Sequence, residues 1–259
     1  MLCDEQLTTQ RAAPADSHPS SLRGNALVVL GCIFTLSVTT YVPVTDHLLL
    51  EPLAILTASV LLLVIFALVF NGLQHHAFAQ FGIANTVTAI RAAIVSLIAA
   101  AVFCPDASER LSGAPWTFAF LVLVVLLLDG VDGYLARRFR LESDLGARFD
   151  MEVDALLIFC LSAAAFALGK AGAWVLFIGL MRYGFVIAQC GVPRLKRDLP
   201  PSLRRKTVCV VQVVVLCLLL LPVIVSPLST GLAAIALLLL VYSFAADCRH
   251  LLCKAERDV

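Results

Sequence analysis

The sequence predicts an all-α, polytopic membrane helical bundle, and three observations carry that prediction. First, 61% of the 259 residues are hydrophobic and only 14% are charged, with a mean hydropathy of +0.96. Water-soluble domains lie nearer half apolar and a quarter charged. Second, the apolar residues gather into runs long enough to cross a hydrocarbon core about 30 Å thick as helices. Third, the cations are segregated. Fifteen of the 19 Lys and Arg residues fall on the side of the amino-terminal tail, two (Arg110 and Lys170) on the other, and two (Arg91 and Arg182) inside spans. Short loops rich in Lys and Arg stay cytoplasmic, so both termini are expected in the cytoplasm. With a net charge of +1 and its cations in membrane-flanking loops, the chain is not expected to bind nucleic acid.

Taken in order, residues 1–24 are polar, contain Pro14 and Pro19, and read as a flexible cytoplasmic tail. The apolar run 26–44 is too long for the core of a signal peptide and has no clear small-residue cleavage site, so it reads as a first span. A second span follows at 52–70, after a turn holding Asp46, His47 and Glu51. The break N-G-L-Q-H-H-A-F-A-Q-F-G at 71–82 reads as a loop, because adjacent His75 and His76 would point to different helix faces. A third span opens at A-N-T-V-T-A-I-R, where Asn85, Thr88 and Arg91 form one stripe. Five more spans are expected near 115–138, 146–168, 173–190, 207–226 and 228–247, leaving 249–259 as a cytoplasmic tail. None of the nine cysteines forms a C-x-x-C pair, and five lie in apolar runs where they act as small hydrophobes. Cys248, His250 and Cys253 cluster near the end without a partner motif.

The chemistry concentrates between Leu128 and Asp154, in L-D-G-V-D-G-Y-L-A-R-R-F-R-L-E-S-D-L-G-A-R-F-D-M-E-V-D. A charge at the centre of a membrane span costs at least about 2.5–3.5 kcal/mol, so intramembrane acids are functional candidates by default. Asp129 and Asp132 are three apart, Asp150 and Asp154 four apart, and the segment between the pairs is polar enough to turn in water. A helical hairpin would make the four carboxylates converge, and bound cations or raised pKa values must then relieve their repulsion. Oxygen ligands at this density suit Mg²⁺, Mn²⁺ or Ca²⁺ rather than zinc. A transporter using the acids for coupling ions stays open at this point.

The pattern Asp129-x2-Asp132-Gly133-x2-Ala136-Arg137-x8-Gly146-x3-Asp150-x3-Asp154 resembles the full signature of the CDP-alcohol phosphotransferase (CDP-alcohol phosphatidyltransferase) family. Asn85, Thr88 and Arg91 resemble the N-x-x-T-x-x-R opening best known in phosphatidylglycerophosphate synthases, without the flanking prolines. Lys206-Thr207 resembles a family K-T pair, although the glutamine expected three residues on is Val210, with Gln212 nearby. The resemblance covers roughly 82–248 and implies six family-type transmembrane helices, here preceded by two extra helices within 25–81. It implies transfer of a phosphatidyl group from CDP-diacylglycerol to a polar acceptor alcohol, releasing CMP, at the cytoplasmic face of the membrane. By the same resemblance, Asp129, Asp132, Asp150 and Asp154 hold two divalent ions, Mg²⁺ or Mn²⁺, and Asp154 is also the general base. Asp129, Asp132, Gly133, Ala136, Arg137 and Gly146 meet the nucleotide. Asn85, Thr88, Arg91, Arg182 and Lys206 suit an anionic acceptor such as glycerol 3-phosphate. A homodimer is compatible with all of this.

Overall fold

The structure, a computed structural model, describes residues 19–47, 52–73, 81–139, 143–191 and 203–257. Among these, every regular element is helical. In order they are α1 (Pro19–His47), α2 (Pro52–Gly72), α3 (Ile83–Phe103), α4 (Ala107–Gly113), α5 (Pro115–Phe139) and α6 (Asp144–Ala167). A 3-10 turn at Ala173–Val175 then leads into α7 (Leu176–Gly191), α8 (Leu203–Leu220) and α9 (Leu228–Arg257). Five of these are long and apolar enough to cross a membrane: α1, α2, α3, α5 and α9. The apolar parts of α7 and α8 are shorter, and α6 carries Asp144, Arg148, Asp150, Glu152 and Asp154 in its first three turns. The protein is an all-α polytopic membrane bundle, as the sequence predicts, with the eight expected spans represented in order by α1–α3 and α5–α9.

The centre of the bundle is α3. Buried residues make up 72% of its apolar stretch, against 22–28% in the other four long helices. It packs against α1, α2, α4, α5 and α6. Its alanines explain that position: Ala89, Ala92, Ala99, Ala100 and Ala101 are buried, and such small side chains let neighbouring helices approach closely. The outer helices turn Leu36, Leu56, Leu68, Phe120 and Leu238 outward. In water such a surface would aggregate, whereas lipid tails are as apolar as leucine and accept it.

Polar contacts lock the helices together. Along the bundle the Tyr41 hydroxyl on α1 donates to the Ala93 carbonyl midway along α3 at 2.7 Å, and at the end where α3 begins the Asn25 side chain accepts from the Phe81 amide at 3.1 Å. At the other end of the bundle, Lys170 Nζ donates to the Leu221 and Ile224 carbonyls at 3.2 and 2.6 Å, tying the turn after α6 to that after α8. Arg204 pairs with Asp247, joining α8 to α9.

Four boundaries differ from the sequence reading. Helix α1 starts at Pro19, inside the segment read as a tail, while residues 1–18 lie outside the described residues. Helix α8 stops at Leu220 rather than near 226, because Pro222 lacks an amide donor and disfavours helix at Leu221. Helix α9 continues to Arg257. Finally, α4 occupies a stretch expected to be loop. At seven residues it is too short to show a period, and it is held by buried Leu111. Glu51, His75, His76, Arg140, Arg194, Lys196 and Arg197 lie outside the described residues.

Helices α6 and α7 meet backbone to backbone at Gly179 on α7, where a Cβ would stand 2.5 Å from the Phe159 Cα of α6. Backbone cannot yield as a side-chain tip does. Gly179→Ala is therefore expected to lower thermal stability in detergent by about 1–3 kcal/mol, the usual cost of overpacking. Gly231→Ala, with nothing within 4 Å of its Cβ, should lower it by far less. Equal melting temperatures for wild type and Gly179→Ala would refute this account of the α6–α7 contact.

Candidate active site: four aspartates around a buried arginine

The site is assembled from α3, α5 and α6 at the end of the bundle where α3 and α6 begin. Helix α6 starts where it does because Ser143, in extended conformation, caps it: its Oγ accepts from the Gly146 amide at 3.0 Å. Gly146 then lies directly on α3, since a Cβ there would stand 2.5 Å from Asn85 Oδ1. Asn85 in turn donates from Nδ2 to the Phe81 carbonyl at 2.5 Å. This contact fixes the height of α6 against α3, and with it the height of the acids.

Asp129 and Asp132 project from α5, Asp150 and Asp154 from α6, and all four meet one side chain. Arg91 of α3 is fully buried. Its Nη1 lies 3.0 Å from Asp129 Oδ1, 2.8 Å from Asp132 Oδ2 and 2.5 Å from Asp150 Oδ1, while Nη2 pairs with Asp154. Thr88, one turn earlier on α3, donates from Oγ1 to Asp132 Oδ2 at 3.1 Å. The cluster is closed on the Asp132 side and open on the other. The Asp132 side chain is 6% exposed, those of Asp129, Asp150 and Asp154 31–42%.

One oxygen from each of Asp129, Asp132 and Asp150 lies within 4.8 Å of the others, close enough to share a metal ion. Four carboxylates face one guanidinium, so the pocket keeps an excess of negative charge. Hard oxygen donors with such an excess fit a divalent ion of the Mg²⁺ or Mn²⁺ type.

The other candidate residues are distributed unevenly. Asn85, Thr88 and Arg91 share the α3 stripe that runs into the cluster. Gly133 is half-buried on α5 beside Asp132. Ala136 and Arg137 on α5 and Lys206 on α8 belong to described helices, but their side chains lie outside the described residues. Arg182 is not drawn into the cluster; its Nη2 pairs with Glu152 Oε1 of α6 at 2.6 Å. Sequence reasoning passed over Glu152, and the only available signal was an acid within the charged start of α6. Gln212 is buried and donates to the Ala236 carbonyl of α9 at 2.7 Å, so it serves helix packing. Cys248 is a free thiol, and the side chains of His250 and Cys253 lie outside the described residues.

A helical membrane bundle with an acidic pocket between its central helices is thus the class of protein. The family profile of CDP-alcohol phosphatidyltransferase matches residues 81–243, more than half the chain and every helix of the site. The chain belongs to the CDP-alcohol phosphatidyltransferase family. It is a membrane-bound transferase of phospholipid biosynthesis, passing a phosphatidyl group from a CDP-alcohol to an acceptor. The match is to the family as a whole and does not single out phosphatidylglycerophosphate synthases. No curated protein and no solved structure matches the chain.

Removing the central cation tests this geometry directly. Taking one partner from a buried ion network costs about 3–5 kcal/mol, and solvent at three of the acids places the loss near the low end. Arg91→Gln is expected to lose roughly 3 kcal/mol in divalent-free buffer. Combining it with Asp129→Asn should return part of that loss. A single variant as stable as wild type would contradict the ion network.

Proposed function

We propose that the acid cluster transfers the phosphatidyl group of CDP-diacylglycerol to the hydroxyl of a polar acceptor, with release of CMP. The observation that supports this best is the convergence of four carboxylates from two helices on one point, open on a single side, within the segment that matches the family. In this reading Asp129, Asp132 and Asp150, with a contribution from Asp154, would hold two divalent ions, Mg²⁺ or Mn²⁺, which would supply positive charge against the negative charge that develops on the leaving phosphate.

The chain's own groups do the rest. Asp154, last along α6, takes the proton from the acceptor hydroxyl as its oxygen attacks the phosphatidyl phosphorus. The bond to CMP breaks and CMP leaves with the electron pair. Gly133 and Ala136 keep the α5 surface bare beside the nucleotide, Gly146 meets it from the turn that lies against Asn85, and Arg137 supports it. Asn85, Thr88, Arg91, Arg182 and Lys206 receive the acceptor, and a set so rich in cations favours glycerol 3-phosphate. Arg91 and Arg182 are both paired with carboxylates, so an acceptor phosphate competes with those acids for them. The oxygens that contact Arg91 are also those offered to the ions.

Within this reading, residues 25–81 are an extension in front of the catalytic unit at 82–248. The acids face the cytoplasm of a cell bounded by its inner membrane, as the 15-to-2 distribution of cations supports. The donor's tails stay in lipid while its charged head reaches the pocket.

The deciding measurement is CMP release from CDP-diacylglycerol by the purified protein over a panel of acceptors. An ion-coupled transporter would release none. In the same assay Asp154→Asn should keep metal-dependent donor binding while turnover falls roughly 10²–10⁴-fold, the usual contribution of a general base. Asp→Asn at Asp129, Asp132 or Asp150 should lower binding and turnover together. Normal turnover by Asp154→Asn would remove it from the base role.

A further inference from the structure

Helices α2 and α6 touch near their ends, at Gly72 and Leu145, and then part. Between them lies a cavity of about 360 Å³. Ile65, Leu68 and Val69 form one wall, and Phe149, Val153 and Leu156 the other. This is not the pocket described above. Phe149, Val153 and Leu156 lie on a face of α6 turned by roughly 120° from the one bearing Asp150 and Asp154. The α2 wall also lies outside the segment 81–243 that matches the family, so the cavity belongs to this chain's own extension.

Two charged residues border it. Glu152 is already paired with Arg182 at 2.6 Å. Arg148 is exposed and makes no hydrogen bond or ion pair with any described residue. The cavity is thus an apolar trough with the exposed Arg148 guanidinium at its rim, the Glu152 charge being matched by Arg182 from outside the lining. From Arg148 to Leu156 the trough runs about 12 Å along α6, at the end of the bundle where α2 finishes and α6 begins. An entering α-helix would need a channel about 10–12 Å across, and this volume stands at the low end for small-molecule sites. The α2 surface beside it is lipid-facing, with Leu63 and Leu68 both more than half exposed.

We propose that this trough holds one acyl chain of an anionic membrane phospholipid, whose phosphate is bound by Arg148. A chain shape fits the length and apolar walls, and a guanidinium at headgroup level is suited to a phosphate diester. The lipid is a resident of the bilayer rather than the reaction's donor, whose diphosphate belongs with the acids on another face of α6. This gives the extension helices a purpose, since α2 closes one side of a lipid site that α6 alone leaves open. The assignment holds whether or not the acids perform the proposed transfer.

The test is native mass spectrometry of the full chain, released from micelles containing equal amounts of phosphatidylglycerol and phosphatidylcholine. Wild type should retain one phosphatidylglycerol in preference to phosphatidylcholine. Arg148→Gln, a change at an exposed position, should lower that preference about fivefold, the ratio one cation is worth at an anionic lipid surface. Ile65→Phe should lower retention of both lipids by narrowing the trough. Added CDP-diacylglycerol should leave the retained phosphatidylglycerol in place. Three outcomes each overturn the proposal: equal preference in wild type and Arg148→Gln, non-saturating uptake of both lipids, or displacement by CDP-diacylglycerol.

Discussion

One guanidinium held among four carboxylates, in a bundle otherwise built from Leu, Val, Ile and Ala, is the constraint that the rest of the fold serves. Charges withdrawn from water are tolerated only when paired and hydrogen-bonded, and an uncompensated one is strongly destabilising. Arg91 meets that requirement for acids from two helices at once, with Thr88 supplying a further donor to the most buried of them. The arginine has to sit on a helix that reaches both α5 and α6, which is why α3 is central. Its alanines give neighbours the close approach that brings carboxylates within reach of a single guanidinium. The Asn85–Gly146 contact sets the axial height of α6 to match.

The same requirement explains why the helices differ. Long apolar α1, α2 and α9 lie largely against lipid and need no polar partner in mid-span. Helix α6 cannot have that composition. Its first turns carry five charged residues, and it must be sheltered by other helices rather than by lipid. Paired acids account for much of that shelter: Asp150 and Asp154 on Arg91, Glu152 on Arg182. Arg148 makes no hydrogen bond or ion pair with any described residue, and it stands beside the cavity between α2 and α6. Helix α2, outside the segment that matches the family, forms the second wall of that cavity.

Much of this was legible in the residues. Composition and run length determined a helical membrane protein, because lipid admits only helices and closed barrels, and continuous apolar runs of about 20 residues fit the helix. Spacing determined which acids share a helix face, since that follows from 3.6 residues per turn alone. The order of the helices could be read, five of them long and apolar enough to cross a membrane, and the signature of the acids, with the glycines between them, pointed to the family. Helix ends were less legible where the signal was local and weak, as at α4, or where helix continued past the expected boundary, as in α9. What only the tertiary structure decided was the partner of each charge. Arg91 stands 41 residues from Asp132 and 63 from Asp154, and nothing local in the sequence says that it pairs with those acids. Likewise Arg182 chooses Glu152, 30 residues away, and Gln212 turns to α9. Periodicity specifies which face of a helix is apolar, but rotation and height against a neighbour are set by packing between distant segments, and those decide which charges meet.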